Sequence, residues 1–277
     1  MAGKRYAKKP AKRRKGSNVL INLLIVLCLG VMVFCGYQLV TSYLEYKTGD
    51  DAYATLTESA VKKVVKAPEG SQGQVNGTEG EGGGAEEGET ALEVDFDVLS
   101  GINGDVAAWL YSEGTVIDYP VVQGTDNAYY LDHIFDGTYN KLGALFVDCR
   151  NTSGFADRNT IVYGHNMNNG SMFASLTKYA DQSYYDEHPE MLLVLPEQTY
   201  RVELFSGYVT PGNSDTYQIS FADDAAFSDY LENVTAQSDF VSDVSVTSED
   251  RIVTLSTCTY DYEEARYVVH GKLTAIE

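Results

Sequence analysis

Between Gly16 and Leu44 the chain carries no charged residue, and the apolar centre of that stretch, Val19 to Val40, runs for 22 residues. At ~1.5 Å per residue, a helix of this length spans the roughly 30 Å hydrocarbon layer of a bilayer. A transmembrane helix is therefore expected over residues 18–42. A cleavable signal peptide would have a shorter apolar core, about 7–15 residues, ending at a small-x-small site, and Gly36-Tyr37-Gln38-Leu39-Val40 offers none. A lipoprotein signal would put a small residue before its cysteine, whereas Leu27 precedes Cys28 and Phe34 precedes Cys35. The reading is an uncleaved anchor. Residues 1–17 hold eight Lys/Arg and no acid, so this basic tail is expected to stay in the cytoplasm and leave the rest of the chain outside.

Charge divides along the same line. Residues 1–48 contain nine Lys/Arg and one acid, which leaves 11 basic against 39 acidic residues in 49–277, a net of −28. A portion this acidic argues against a nucleic-acid partner and against binding anionic headgroups through a general field. Acidic pairs such as Asp50-Asp51 and Asp223-Asp224 lack the spacing of a calcium loop, so no metal and no cofactor are expected.

Residues 69–89 contain eight glycines and six glutamates, with Val75 the one aliphatic side chain larger than alanine. Such a segment cannot bury enough surface to offset its ordering entropy and reads as a tether with an r.m.s. span near ~25 Å. A short juxtamembrane helix is expected over 49–66, and residues 43–92 together form the connection between the anchor and a domain at 93–277.

From residue 93 onward short runs rich in Val, Ile, Tyr, Thr and Phe recur between turn residues. The strands expected are 116–122, 143–147, 160–163, 191–195, 200–210, 251–257 and 266–274. Helical patches are expected at 94–101, 105–111, 172–179 and 225–234. Strands at this spacing, with helices as insertions, predict a mostly β fold, a closed barrel with peripheral helices.

One strand in this series carries chemistry. The run Thr254-Leu255-Ser256-Thr257-Cys258 ends on a cysteine, and after a polar turn the next strand opens with Arg266. On adjacent antiparallel strands this places a thiol and a guanidinium side by side, a pairing suited to acyl transfer. Two histidines compete to be the third member. His165 lies in Tyr163-Gly164-His165-Asn166-Met167 at the mouth of a strand, where a glycine permits close backbone approach and a loop follows. His270, four residues after Arg266, faces the same side of its strand. His133 and His188 are read as structural. Of the two exported cysteines, Cys149 is read as a small hydrophobe packed at the end of a Leu-Phe-Val strand.

The segments TLSTC, Arg266 and YGHNM resemble the signature of the sortases, membrane-anchored cysteine transpeptidases of Gram-positive bacteria, and most closely class B. A second stretch, Tyr130-Leu131-Asp132-His133-Ile134-Phe135-Asp136-Gly137-Thr138-Tyr139-Asn140 with Gly143 and Asp148-Cys149-Arg150-Asn151, resembles a class B segment and departs from it at Cys149, where an apolar residue is usual. The resemblance covers about residues 95 to 277. It implies an eight-stranded barrel and selects His165 over His270 as the partner of Cys258 and Arg266. It also implies a substrate, a surface protein with an LPxTG-like or NPxTN-like sorting signal cut after its threonine, and an acceptor amine on a peptidoglycan precursor or a pilin. Residues 213–240 resemble the helix-bearing loop of class B, with Tyr217 and Ile219 as candidates for gripping the signal.

Each residue type suits that chemistry. A free cysteine is mostly thiol at neutral pH; an imidazole can take its proton or hold the thiolate as an ion pair, then protonate the leaving amine. Arg266 and backbone N–H groups near Cys258 can stabilise the oxyanion, while Ser256 and Thr257 shape the floor. Two other classes fit less well. A papain-like wall hydrolase usually runs cysteine before histidine, and an L,D-transpeptidase keeps both in one short motif, whereas His165 precedes Cys258 by 93 residues. A silent assembly module on a membrane stalk has no use for an intact Cys, His and Arg set.

Overall fold

The computed structural model describes residues 15–65 and 90–276, so the glycine- and glutamate-rich tether expected at 69–89 lies outside the described residues. The chain divides into two compact units, Met1–Glu45 and Tyr46–Glu277. A single helix, α1 (Lys15–Ala60), runs through the division. In the first unit its side chains from Ile21 to Val40 are all exposed, and the mean hydropathy reaches 2.5. Such a helix satisfies its own backbone and leaves an apolar surface for which hydrocarbon is the fitting solvent. It is long and apolar enough to cross a membrane.

The second unit opens with the last turns of α1, where Tyr53, Leu56 and Ala60 are buried on one face. That i, i+3, i+7 spacing is the stripe of a helix packed on a core. The helix stops at Ala60, where the β-branched run of β1 (Val61–Val65) takes over and pairs antiparallel with β2 (Thr90–Val94). Within the helix expected over 49–66, residues 61–65 are thus strand, and the second unit begins at Tyr46 rather than at 93. Asp95 then caps α2 (Phe96–Ile102), accepting from the Val98 N–H at 3.0 Å, which satisfies one of the orphan donors of the first turn.

Eight strands follow: β3 (Val106–Tyr111), β4 (Asp118–Val122), β5 (Leu145–Val147), β6 (Asn159–Tyr163), β7 (Glu190–Val194), β8 (Thr199–Pro211), β9 (Ile252–Cys258) and β10 (Ala265–Ile276). They close a barrel in the order β10-β8-β7-β3-β4-β5-β6-β9. Pairing is antiparallel except for β4 with β5 and β6 with β9. Closure leaves no unpaired edge. The helices α3 (Gln182–Glu187) and α4 (Asp224–Ala236) are insertions, α4 within the stretch 213–240.

Strand alternation sorts side chains into two layers. Val253, Leu255, Tyr267 and Val269 point into the barrel and join its main core. Ile252, Val268, Ile161, Phe205 and Tyr208 face outward and are covered by Phe227, Tyr230, Leu231 and Val234 of α4. Two expectations need correction. In the stretch 105–111, expected as helix, Val106–Tyr111 form strand β3: Trp109 and Leu110 are both buried, and a strand covered on both sides reads as an unbroken apolar run that periodicity cannot separate from a helix. The helix expected at 172–179 is a 3₁₀ segment, Ala174–Ala180.

Candidate active site

Three neighbouring strands bring the site together. The β9–β10 register pairs Cys258 with Arg266, Ser256 with Val268, and Thr254 with His270, so the period of two puts Thr254, Ser256 and Cys258 on the outer face together with Arg266. On the other side of β9, the parallel ladder with β6 runs from Asn159↔Ile252 to Tyr163↔Ser256. Two residues further along that ladder bring His165 beside the end of β9.

Hydrogen bonds tie this junction. The Gly164 N–H donates to the Ser256 carbonyl at 3.1 Å, and the Thr257 hydroxyl to the Gly164 carbonyl at 2.8 Å. The Asn166 amide donates to the Cys258 carbonyl at 2.9 Å, and the Phe173 N–H to the His165 carbonyl at 2.9 Å. A side chain at Gly164 would stand 2.4 Å from Leu145 Cδ2 and 2.6 Å from Phe173 Cδ2, so this position accepts only glycine without rearrangement. The His165 ring has its Nε2 2.6 Å from the Leu131 carbonyl oxygen. A carbonyl oxygen only accepts, so Nε2 carries a proton and Nδ1 is the nitrogen left for exchange.

The junction borders a cavity of about 250 Å³ lined by His165, Tyr217, Ser256, Thr257, Cys258 and Arg266, together with Asn127, Leu131, Phe146, Tyr163, Gly164 and Gly212. Every site residue expected from sequence lines it except Ile219, which packs against the outer apolar layer beneath α4. Cys258 is partly exposed. Arg266 donates to the Ala265 carbonyl at 3.0 Å and pairs with Glu264 at 3.3 Å, but the Glu264 side chain is 78% exposed. An ion pair this wet holds weakly, leaving the guanidinium available to a ligand. The Tyr217 hydroxyl bonds Ser256 Oγ at 2.9 Å. Burial raises its pKa, against the pull of the Ser256 bond and the Arg266 charge.

His270 shares a strand face with Arg266 but is fully buried, with Nδ1 2.9 Å from Thr254 Oγ1 and Nε2 3.2 Å from the Tyr208 hydroxyl. Burial pushes its pKa down to about 3. It is a neutral core histidine. His133 stacks on Tyr129 with ring centroids 4.0 Å apart, and His188 closes the end of α3. Cys149 corrects an expectation: it is exposed, because β5 ends at Val147 and the chain turns after Asp148, whose side chain, 0% exposed, takes the inward place. Its N–H donates to Asn127 Oδ1 at 2.8 Å. Among the described residues no cluster of His, Cys, Asp and Glu converges as a metal site.

Sequence reasoning missed Asn127, Leu131, Phe146, Tyr163 and Asn166. Tyr163 was within reach, since it stands two residues before His165 on the same strand. Leu131 was not, because it contributes a backbone carbonyl.

The sortase domain family model matches residues 110–274. Sortase B of Listeria monocytogenes is 37% identical over 256 residues, 90% of this chain and 95% of that protein. Sortase B of Staphylococcus aureus is 30% identical over 266 residues, covering 95% and 99%. Among solved structures, a Staphylococcus aureus sortase B–substrate complex has a TM-score of 0.63 at 34% identity, over 66% of this chain and 85% of that one. Sortase B from B. anthracis in complex with AAEK1 has a TM-score of 0.67 at 31% identity, over 84% and 100%.

Proposed function

This chain belongs to the sortase family, class B, the cell-wall sorting transpeptidases, and from that premise we propose that it cuts a surface protein's sorting signal through a thioester on Cys258. The signal is LPxTG-like or NPxTN-like, cut after its threonine, and the acceptor is an amine of a peptidoglycan precursor or a pilin. The observation that carries this reading is the cross-strand pair Cys258↔Arg266 at the lip of a cavity that His165 also lines.

The steps follow from the groups present. The Cys258 thiol loses its proton to His165 Nδ1, and the thiolate adds to the threonine carbonyl. Negative charge then develops on the carbonyl oxygen, where the fork of Arg266 and nearby backbone N–H groups can meet it. As the C–N bond breaks, the imidazolium returns its proton to the departing amine, leaving the acyl group on sulfur. An incoming amine attacks the thioester, gives up a proton to His165, and the thiolate leaves. Tyr217, Ser256 and Thr257 form the wall and floor against which the signal lies; Ile219, away from the cavity, supports that wall from beneath. The apolar part of α1 serves as a single-pass anchor, with the basic residues 1–17 inside and the catalytic domain outside.

The test uses the full-length chain in detergent with labelled LPxTG and NPxTN peptides. A mass adduct of the acyl fragment is expected on Cys258, with cleavage abolished by Cys258→Ala and by His165→Ala, and kept within about 2-fold by Cys149→Ala, since only Cys258 lines the cavity. An adduct on Cys149, or an active His165→Ala, would overturn the assignment.

A further inference from the structure

We infer that Asp148 is a positioning residue for this site, acting through the hydroxyl of Tyr163 to fix the cavity wall that receives the signal peptide. Asp148 follows β5 directly, and its N–H donates to the Ile161 carbonyl at 2.9 Å, which locks it beside β6. Its side chain is 0% exposed. A carboxylate so buried is strongly destabilising unless its lone pairs are met. Here they are met. Arg150 binds in a fork, Nε to Oδ1 at 2.9 Å and Nη2 to Oδ2 at 2.7 Å, and the Arg150 N–H adds a third bond at 2.9 Å. The Tyr163 hydroxyl donates to Oδ2 at 2.9 Å.

Tyr163 passes this constraint to the cavity. Its ring lines the site, packs on Phe146 at 5.3 Å, and stacks near-parallel on Tyr217 at 6.1 Å, whose hydroxyl bonds Ser256 two residues before the thiol. Asn127, also a lining residue, is tied to the same place by the Cys149 N–H at 2.8 Å and by a bond from its side chain to the Asp148 carboxylate. One charge therefore sets two walls. Burial pushes the Asp148 carboxyl up, but the bonds from Arg150, Asn127 and Tyr163 together outweigh it and hold the pKa at about 2. Asp148 stays ionised throughout the working range, so its part is to hold neighbours in place, with no proton to give. Releasing the Tyr163 hydroxyl frees the ring to tilt, and the cost falls on peptide binding rather than on the thiol.

The inference rests on Cys258 as nucleophile, and the test separates the two. In the full-length enzyme in detergent, Tyr163→Phe and Asp148→Asn should each lower kcat/KM for a labelled signal peptide by about 10-fold, chiefly through KM. The double variant should fall no further than the worse single one, because both changes break the same bond. Alkylation of Cys258 by a small thiol reagent should stay within about 2-fold of wild type in all three. Additive losses, unchanged peptide kinetics, or alkylation falling in step with cleavage would each overturn it. Should Asp148→Asn fail to fold, Tyr163→Phe removes one oxygen and no charge, and wild-type KM in that variant refutes the inference alone. A wild-type enzyme that cleaves through a residue other than Cys258 would instead defeat the reading beneath it.

Discussion

Gly164→Ala tests how tightly the histidine strand is fitted to the rest of the site. The added methyl would sit 2.4 Å from Leu145 Cδ2 and 2.6 Å from Phe173 Cδ2, whereas carbon atoms rest at about 3.5–4.0 Å. Roughly 1 Å of movement is therefore needed on each side. Leu145 and Phe173 are both fully buried, so neither can swing into solvent. Overpacking of this kind typically costs about 1–3 kcal/mol; at ~2 kcal/mol the Tm of a domain this size falls by about 4–8 °C. Activity should fall further than stability suggests. Phe173 is bonded through its N–H to the His165 carbonyl, so displacing it drags the imidazole, and a 1 Å misplacement can cost about 10²-fold. We expect kcat/KM for a quenched fluorescent signal peptide to drop at least ~10-fold at a temperature well below the lowered Tm, with scanning calorimetry giving the Tm itself. An alanine variant with wild-type Tm would refute the packing argument. A lowered Tm with full activity would refute the mechanical link to His165.

Two further outcomes follow from the same site. Arg266→Lys keeps the charge but loses the planar fork, so kcat/KM should fall by ~10²-fold, as for loss of an oxyanion donor, while Tm barely moves because the Glu264 pair is exposed; full activity with lysine would show that charge alone suffices. His270, ordinarily near 6.5, is held at about 3 in the fold, so between those values the unfolded chain binds a proton that the folded chain refuses. Stability should therefore decline as pH falls from about 6.5 toward 3, at up to ~1.4 kcal/mol per pH unit. His270→Gln should flatten that decline, read from urea midpoints at neutral and mildly acidic pH, and equal slopes in both proteins would refute it.

The sequence made the site legible because its parts lie at strand ends. Cys258 and Arg266 are separated by one turn, so antiparallel register alone predicts their pairing. His165 was chosen over His270 by family resemblance. The structure adds the physical reason against His270, a core position roofed by Tyr208 and Tyr230 that no strand pattern displays. Other features were hidden for nameable reasons. β3 was read as helix because burial on both faces erases the alternation that marks a strand. Cys149 was read as buried because its apolar strand suggested inward packing, yet the inward place went to Asp148, whose charge is tolerated only through Arg150. The docked end of α1 escaped notice because Tyr53, Leu56 and Ala60 lie among polar residues next to a long tether, and their partners stand some ninety residues away, as in the bond from the Tyr53 hydroxyl to the Gly143 carbonyl at 2.7 Å.

The parallel ladder between β6 and β9 has a consequence for folding. It joins residues that lie 93 positions apart, and pairings of such long sequence separation are reached slowly because loop closure must precede any reward. β9 lies between β6 and β10 in the barrel, joined to β10 by one local hairpin and to β6 by this distant ladder. Before that ladder forms, Cys258 has Arg266 within its own hairpin but no histidine beside it. Under the proposed mechanism, the Cys258–His165 pairing arrives with the slowest class of contact in the fold, so recovery of peptide cleavage during refolding should serve as a clock for closure of the β6–β9 ladder.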